Sequence, residues 1–188
     1  MSKPSPLFVF ALEQEARGLF DEELCLFTSV GKVNAAISLM KYLAENGAPE
    51  LIINLGTAGS AIHKAGIVVH ATRFIQRDMD VTPLGFAPFQ TPFSDIPPII
   101  LPPGPETTLP QSVCGTGDHF DIAHTGEAYD TVDMEAYALA RVCMESNLPF
   151  LCLKYISDGA DGEAAQDWDA ALDAGAKALR SAIDDYLA

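Results

Sequence analysis

The feature of this sequence that most limits its fold is a set of short, mainly apolar runs separated by segments with helical spacing. The runs have the length of buried strands and cover residues 7–12 (LFVFAL), 51–55 (LIINL), 67–75 (IVVHATRFI) and 150–156 (FLCLKYI). Helical spacing recurs at about 31–45, at 135–146 and from Trp168 onwards. Strands that alternate with helices predict an α/β fold, with a mixed, mostly parallel central sheet flanked by helices.

Two of the helical segments carry apolar stripes that we expect to face the sheet. In the first helix the stripe consists of Val33, Ala36, Ile37, Met40 and Leu43. In the last helix it consists of Trp168, Leu172, Ala176, Leu179, Ile183 and Tyr186. Both stripes are therefore predicted to contribute to the core.

Residues 83–110 differ from the rest of the chain because they hold nine of its 13 prolines. Proline is excluded from helix interiors and from central strands. We therefore predict a long irregular excursion with at most a short strand at 99–101. With 188 residues, the chain has the length of one domain, and we assign residues 1–188 to a single domain that contains this excursion.

The formal net charge of −15 argues against binding to nucleic acids or to anionic membranes, because both require a basic surface. The four cysteines have no CxxC spacing, so neither a metal site nor a disulfide framework is indicated. The apolar run at 7–12 is too short for the core of a signal peptide. We expect a cytoplasmic protein with free thiols, a small-molecule substrate and no cofactor or metal.

Acidic, hydroxyl and glycine residues follow several predicted strands. They are Glu13 and Glu15, residues 56–60 (GTAGS), Asp133-Met134-Glu135, and Ser157-Asp158. In open α/β sheets, ligands bind at the carboxyl ends of strands. Each group also has a purely structural interpretation, as first-turn acids of a helix, as an N-cap or as a turn residue.

Seven blocks in order along the chain resemble the nucleoside phosphorylase/nucleosidase superfamily, and most closely its methylthioadenosine/S-adenosylhomocysteine nucleosidase branch. The blocks are FALEQEA (10–16), SVGKVNAA (29–36), INLGTAGS (53–60), MDVTPLGF (79–86), GDHF (117–120), VDMEAYALA (132–140) and KYISDGAD (154–161). The resemblance implies a single α/β domain of the nucleoside phosphorylase type. It also implies cleavage of the N-glycosidic bond of a purine nucleoside.

The resemblance implies three roles for carboxylates in that reaction. Asp158 matches the acid that protonates the purine at N7, and Glu15 matches the residue that activates water. Glu135 matches the carboxylate that accepts hydrogen bonds from the ribose hydroxyls. These roles parallel the pair of carboxylates used in glycoside hydrolysis.

Further positions match substrate-binding residues of the superfamily. Met134 corresponds to a residue that packs on the sugar, and Phe120 to an aromatic residue that stacks on the base, although a core position for Phe120 is also open. Asp121 stands where an apolar residue usually provides backbone contacts to the base. Thr57 lies in the loop around the water or phosphate position, and Ser157 precedes the acid.

Two positions favour water over phosphate as the attacking group. Superfamily phosphorylases carry an arginine two residues before the first glycine of the GTAGS loop, whereas this chain has Asn54. They also place a glycine-rich turn with an arginine after the first strand, where this chain has Ala11-Leu12-Glu13-Gln14-Glu15. A purine-nucleoside N-ribohydrolase is therefore expected. The alternatives are a phosphate-dependent phosphorylase and a catalytically silent nucleoside-binding protein.

The apolar residues of the 83–110 segment have two possible roles. Leu84, Phe86 and Phe89 could line the substrate pocket of a neighbouring subunit, or they could simply form a dimer contact. Both possibilities predict a homodimer, which is the commonest closed assembly.

Overall fold

A computed structural model describes residues 5–120, 127–159 and 164–188. Within these ranges the chain forms eight strands, four α-helices and a 3-10 turn at Thr82–Leu84. In chain order they are β1 (Leu7–Phe10), α1 (Glu13–Ala16), β2 (Cys25–Phe27), α2 (Lys32–Asn46), β3 (Ile52–Gly59), β4 (Val68–Gln76), β5 (Ile99–Ile100), β6 (Gln111–Thr116), β7 (Thr131–Asp133), α3 (Ala136–Glu145), β8 (Phe150–Asp158) and α4 (Ala164–Leu187).

All eight strands belong to one mixed sheet, in which β3 is central. Strand β3 pairs in parallel with β1 and β8 and antiparallel with β7. Strand β8 then runs antiparallel to β4, β4 parallel to β6, and β6 parallel to β7. Five strands therefore close into a ring, which β2 and β5 extend through β1 and β4. The predicted mixed, mostly parallel sheet is confirmed.

The ring closure brings the ends of three strands to one place. Gly59, at the end of β3, is paired with Val132 of β7 and with Asp158 at the end of β8. The residues that follow β7 therefore lie close to the last residues of β8, at the carboxyl end of β3.

The core lies on both faces of the sheet because the strand residues alternate between them. Leu7 and Val9 face α2 and α3, whereas Phe8 and Phe10 face α1 and α4. The predicted α4 stripe is confirmed from residue 171 onwards: Leu172, Ala176, Leu179 and Ile183 are buried and Tyr186 packs at its edge. The side chain of Trp168 lies outside the described residues.

The predicted core face of α2 is wrong for three of its five residues, whereas Ala36 and Leu43 do pack against the core. Val33, Ile37 and Met40 are 66%, 61% and 49% exposed, while Ala35 and Leu39 are fully buried. The helix has apolar residues on more than one face. The face that carries Ala35 and Leu39 packs against the core beside α3. Spacing alone could not tell which apolar face is buried.

Several boundaries also differ from the expectations. Strands β3 and β8 continue through Gly59 and Asp158, further than the apolar runs. Strand β7 was not predicted, because three residues with a single aliphatic side chain give no periodic signal. Helix α1 has only one turn, since Arg17 adopts a left-handed conformation with φ of 47°. The irregular 83–110 segment with a short strand at Ile99–Ile100 is confirmed.

In the described part of the chain, no helix has the length and apolar character needed to cross a membrane. Three of the four cysteines, at positions 114, 143 and 152, are buried, and all four are free thiols. The expectation of free thiols is therefore confirmed.

Candidate active site

A cavity of about 320 Å³ opens where β3, β7 and β8 end. Its volume is at the lower end of the range of small-molecule sites. It is lined by Ala11, Leu12, Glu15, Val30, Thr57, Ala58, Gly59, Arg77, His119, Phe120, Val132, Asp133, Met134, Glu135, Ser157 and Asp158. All the residues to which the resemblance gives a role in the site line this cavity except Asp121, which lies outside the described residues.

Glu15 lies in α1, the helical turn that follows β1, and its carboxylate accepts three hydrogen bonds. Its Oε1 atom accepts hydrogen bonds from the Thr57 N–H at 3.1 Å and from Thr57 Oγ1 at 3.2 Å. Its Oε2 atom accepts one from the Leu12 N–H at 3.1 Å. Glu15 is buried, whereas Glu13 in the same helical turn is exposed. Of the two acids, only Glu15 can therefore act in the cavity.

Gly56 leaves space beside this carboxylate. A Cβ atom at position 56 would lie 3.1 Å from Glu15 Oε1 and 3.6 Å from Lys154 Nζ. Because position 56 has no side chain, the Glu15 carboxylate on α1 and the Lys154 ammonium group on β8 can both approach β3 at this point.

Glu135 follows β7 and is 8% exposed. Its Oε1 atom accepts a hydrogen bond of 2.9 Å from the N–H of Gly31, which precedes α2. Burial, together with the negative charge of Asp133, raises the pKa of Glu135 to about 8. At neutral pH, the protonated form of this carboxyl group is therefore favoured.

Asp133 is not a candidate ligand-binding acid, because it forms a buried ion pair with Lys154. The Nζ atom of Lys154 lies 2.9 Å from Asp133 Oδ2, and both side chains are at most 2% exposed. Burial alone would raise the pKa of Asp133, but the adjacent ammonium group and hydrogen bonds bring it below its ordinary value.

The remaining bonds of Asp133 are structural. It accepts 2.6 Å and 2.8 Å hydrogen bonds from Thr116 Oγ1 and the Ala136 N–H. The second bond satisfies a donor in the first turn of α3. The N-cap position itself is occupied by Glu135, so the N-cap interpretation of Asp133 is wrong.

Asp158 ends β8 inside the cavity and is 4% exposed. The hydroxyl of Ser157 lies 2.6 Å from Asp158 Oδ2, and the Asp158 carbonyl accepts a hydrogen bond from the Ser60 N–H. Asp158 is therefore part of the strand ladder, and its interpretation as an exposed turn residue is wrong.

Phe120 is 48% exposed and lies on the cavity wall, so it is not a core residue.

Two residues that were not predicted from the sequence, Arg77 and His119, also line the cavity wall. Arg77, at the end of β4, donates to His119 Nε2 at 2.6 Å and also to the His119 carbonyl. A Cβ at Gly117 would lie 2.9 Å from Arg77 Cζ. Nothing in the sequence signals this contact, because Arg77 and His119 lie far apart along the chain.

Asn54 does not reach the cavity. Its side chain is buried in the sheet, where it donates to the Val9 carbonyl at 3.0 Å and accepts from Cys152 Sγ at 3.3 Å. The expectation that position 54 distinguishes phosphate from water is therefore not supported by its location. The local feature that bears on this choice is the buried carboxylate of Glu15 beside Thr57.

Within the described ranges, no group of three or more His, Cys, Asp or Glu side chains is arranged to hold a metal ion.

Comparisons with known proteins identify the family and the fold. A family model described as the phosphorylase superfamily matches residues 17–188. A 5′-methylthioadenosine/S-adenosylhomocysteine nucleosidase of an Exiguobacterium species is 32% identical over 79% of this chain and 72% of that protein. One from Staphylococcus carnosus is 30% identical over 91% and 84% of the two chains.

A solved structure of the nucleosidase with the same name from Neisseria meningitidis is 25% identical to this chain. The two superpose with a TM-score of 0.81 over 97% of this chain and 99% of the other. That structure contains methylthio-immucillin-A.

The raised pKa of Glu135 gives a testable dependence of stability on pH. Between the ordinary value of 4.5 and about 8, the unfolded state loses this proton while the folded state keeps it. The folded state then binds more protons, so Glu135 makes the free energy of unfolding fall as pH rises through this window. Glu135→Gln removes this contribution.

We therefore expect the unfolding free energy of Glu135→Gln to fall less steeply than that of the wild type from pH 5 to pH 8. Urea denaturation at one-unit pH intervals measures both curves. Parallel curves would contradict the electrostatic description of this residue.

Proposed function

The chain belongs to the phosphorylase superfamily, and we propose that it is a purine-nucleoside N-ribohydrolase that cleaves an adenosine-type nucleoside with water. The observation that carries the proposal is the convergence of three buried carboxyl groups, Glu15, Glu135 and Asp158, on one cavity beside the exposed ring of Phe120. The names of the relatives indicate 5′-methylthioadenosine or S-adenosylhomocysteine as the class of substrate.

Cleavage of an N-glycosidic bond has three chemical requirements. The sugar develops oxocarbenium character, the leaving base takes the electrons of the C1′–N9 bond, and a water molecule attacks C1′. A proton must reach the base, a proton must leave the water, and the ribose must be held in place. The products are the free purine and the free sugar.

The water proton goes to Glu15. Three hydrogen bonds fix its carboxylate, so it is oriented before the substrate enters. A phosphate ion at this place would approach a buried carboxylate, and an unpaired buried charge costs several kcal/mol. Among the described residues that line the cavity, the cationic side chain is Arg77, which donates to His119. The arrangement therefore favours water over phosphate.

Asp158 donates the proton to N7 of the departing purine, with Ser157 at 2.6 Å holding its second oxygen. A hydrogen bond to N7 strengthens as negative charge builds on the base, so it stabilises the transition state more than the ground state. Phe120 stacks on the base that receives this proton.

Glu135 accepts hydrogen bonds from the ribose hydroxyls, and Met134 packs on the sugar. The hydroxyls favour the ionised form of Glu135, because they donate to it. Its Gly31 N–H bond fixes one oxygen of the carboxyl group. The ribose is thereby placed between the water on the Glu15 side and the base on the Asp158 side.

The function is tested with a nucleoside panel incubated with and without inorganic phosphate. We expect release of free purine and free sugar from an adenosine-type member at a rate that does not depend on phosphate. A strict requirement for phosphate, with a sugar 1-phosphate as product, would identify a phosphorylase. Binding without cleavage of any member would identify a silent nucleoside-binding protein.

Asp158→Asn separates the roles of acid and structural residue. Asparagine still donates a hydrogen bond to N7 but cannot deliver a proton, and general acid catalysis is worth about 10²–10⁴-fold. We expect kcat to fall at least about 10²-fold with little change in substrate affinity or melting temperature. An undiminished kcat in a stably folded variant would show that the proton comes from another group.

We also propose that the protein is a cytoplasmic homodimer. The support is the outward apolar face of α2, formed by Val33, Ile37 and Met40, because exposed apolar patches usually mark interfaces. This face starts at the cavity, since Val30 lines the cavity and Val33 lines the adjoining depression. A second copy seated on α2 would therefore border the active site.

The 83–110 segment is the second element of the proposed interface. Leu84 is 74% exposed and Phe93 is 98% exposed, and the Phe86 and Phe93 rings contact each other with centroids 5.4 Å apart. None of the described residues of this segment lines the cavity of its own chain. Its apolar side chains are thus available to the partner subunit.

A charge placed on the α2 face tests the dimer. We expect Ile37→Asp to sediment as a monomer at micromolar concentration, with a reduced kcat/KM. Ile62→Asp is a matched control, because Ile62 is 58% exposed and lies outside this face; it is expected to stay dimeric. A wild-type protein that is monomeric and fully active would contradict the proposal.

A further inference from the structure

Three separate chain segments meet at Lys32, the first residue of α2. The Nζ atom of Lys32 forms ion pairs with Asp78, on the turn after β4, and with Asp118 at 3.6 Å. The Lys32 N–H also donates to Asp118 Oδ1 at 2.8 Å. The Asp118 N–H in turn donates to Asp78 Oδ2 at 2.9 Å. We refer to Lys32, Asp78 and Asp118 as the Lys32 cluster.

The Lys32 cluster lies between two parts of the cavity wall, the Gly31 amide that contacts Glu135 and the segment that carries Phe120. On one side, Gly31 precedes Lys32 and donates its N–H to Glu135. On the other side, Asp118 is two residues before Phe120 on the same segment. The depression that Gly31 and Asp118 line shares Val30 and Met134 with the main cavity.

Gly31 shows how close these segments are. Its φ is 99°, a conformation that side chains rarely adopt, and an added Cβ would lie 3.3 Å from Asp118 Oδ1. The Asp118 carboxylate therefore sits directly against the backbone that fixes Glu135. The contact connects residues that are far apart in sequence.

The cluster is charged and partly buried. The side chains of Lys32 and Asp78 are 13% and 22% exposed, and that of Asp118 is 46% exposed. Burial alone would raise the pKa of Asp78, but the hydrogen bonds from Lys32 and from the Asp118 N–H bring it below its ordinary value. Both acids therefore face an ammonium group as well as a backbone donor.

We propose that Asp118 is a positioning residue. Through its contacts with Lys32, it keeps the segment that carries Phe120 in a fixed position relative to the Gly31 amide. That amide in turn holds Glu135. The inference rests on the proposed function for its effect on catalysis. Removing the carboxylate frees the base-stacking segment and the ribose-holding segment together. Glu15 and Asp158 are on other elements and keep their contacts, so ground-state binding is affected more than the chemical step.

The test compares Asp118→Ala with Asp118→Asn. We expect Asp118→Ala to raise KM about 10-fold or more, since small misplacements of binding groups have large effects, while kcat changes less than KM. Asparagine can still accept from the Lys32 N–H, so Asp118→Asn is expected to restore part of the loss. An ion pair this exposed adds little stability, so the melting temperature is expected to change by no more than about 4 °C.

Asp184→Ala is the matched control, because Asp184 is an exposed acid on α4 that pairs with Arg180. It is expected to leave KM unchanged. An unchanged KM in Asp118→Ala, or a KM increase of the same size in the control, would overturn the proposal. Lys32→Met tests the ion pairs alone, because it leaves the Lys32 N–H bond to Asp118 in place. Adding Asp118→Ala to it is expected to raise KM by a smaller factor than Asp118→Ala does alone.

Hydrogen exchange tests the same inference without any assumption about the reaction. In Asp118→Ala we expect the amides of Gly31 and Lys32 and those of residues 117–120 to exchange faster together than in the wild type. Faster exchange in only one of the two segments, or in neither, would overturn the positioning role. If the wild type cleaved no nucleoside, the proposed function would be overturned. Hydrogen exchange would then still decide whether Asp118 has the positioning role.

Discussion

The ion pair between Lys154 and Asp133 is the interaction on which the site depends most. The two residues belong to β8 and β7, which carry Asp158 and lead to Glu135, yet these strands are not paired with each other in the sheet. The pair spans the inside of the ring closed by β3, β8, β4, β6 and β7. Removing one partner of such a pair leaves a buried uncompensated charge, which typically costs about 3–5 kcal/mol. The pair thus fixes the relative position of two strands that supply reactive groups.

The same ion pair makes it possible to crowd carboxyl groups into one cavity. Asp133 is neutralised by Lys154, and Glu15 is satisfied by three donors from the backbone and from Thr57. Burial near Asp133 instead raises the pKa of Glu135 to about 8, which favours its protonated form at neutral pH. Each acid therefore has a different environment, and groups of the same type can take different roles when their environments differ.

The sequence was sufficient to predict the α/β class, most strands and seven of the eight residues to which it gave a site role, all but Asp121. The strands follow from apolar runs, which are local signals, whereas the roles of the site residues follow from the resemblance to the superfamily. The exposed face of α2, with Val33 and Ile37, was predicted incorrectly, because a helix that is apolar on two sides does not indicate which side the sheet covers. The contacts of Lys154 and Arg77 were also missed, because their partners Asp133 and His119 lie on other segments of the chain and such contacts leave no mark in the spacing.

The central claim is that Glu15, Glu135 and Asp158 surround the glycosidic bond of a purine nucleoside. The most direct measurement is a crystal structure of the wild-type protein with an unreactive adenosine analogue. The account predicts the purine N7 within hydrogen-bond distance of Asp158, the ribose hydroxyls on Glu135, and a water molecule between Glu15 and C1′. An analogue bound outside the cavity, or with its ribose turned away from Glu135 and its N7 away from Asp158, would contradict it.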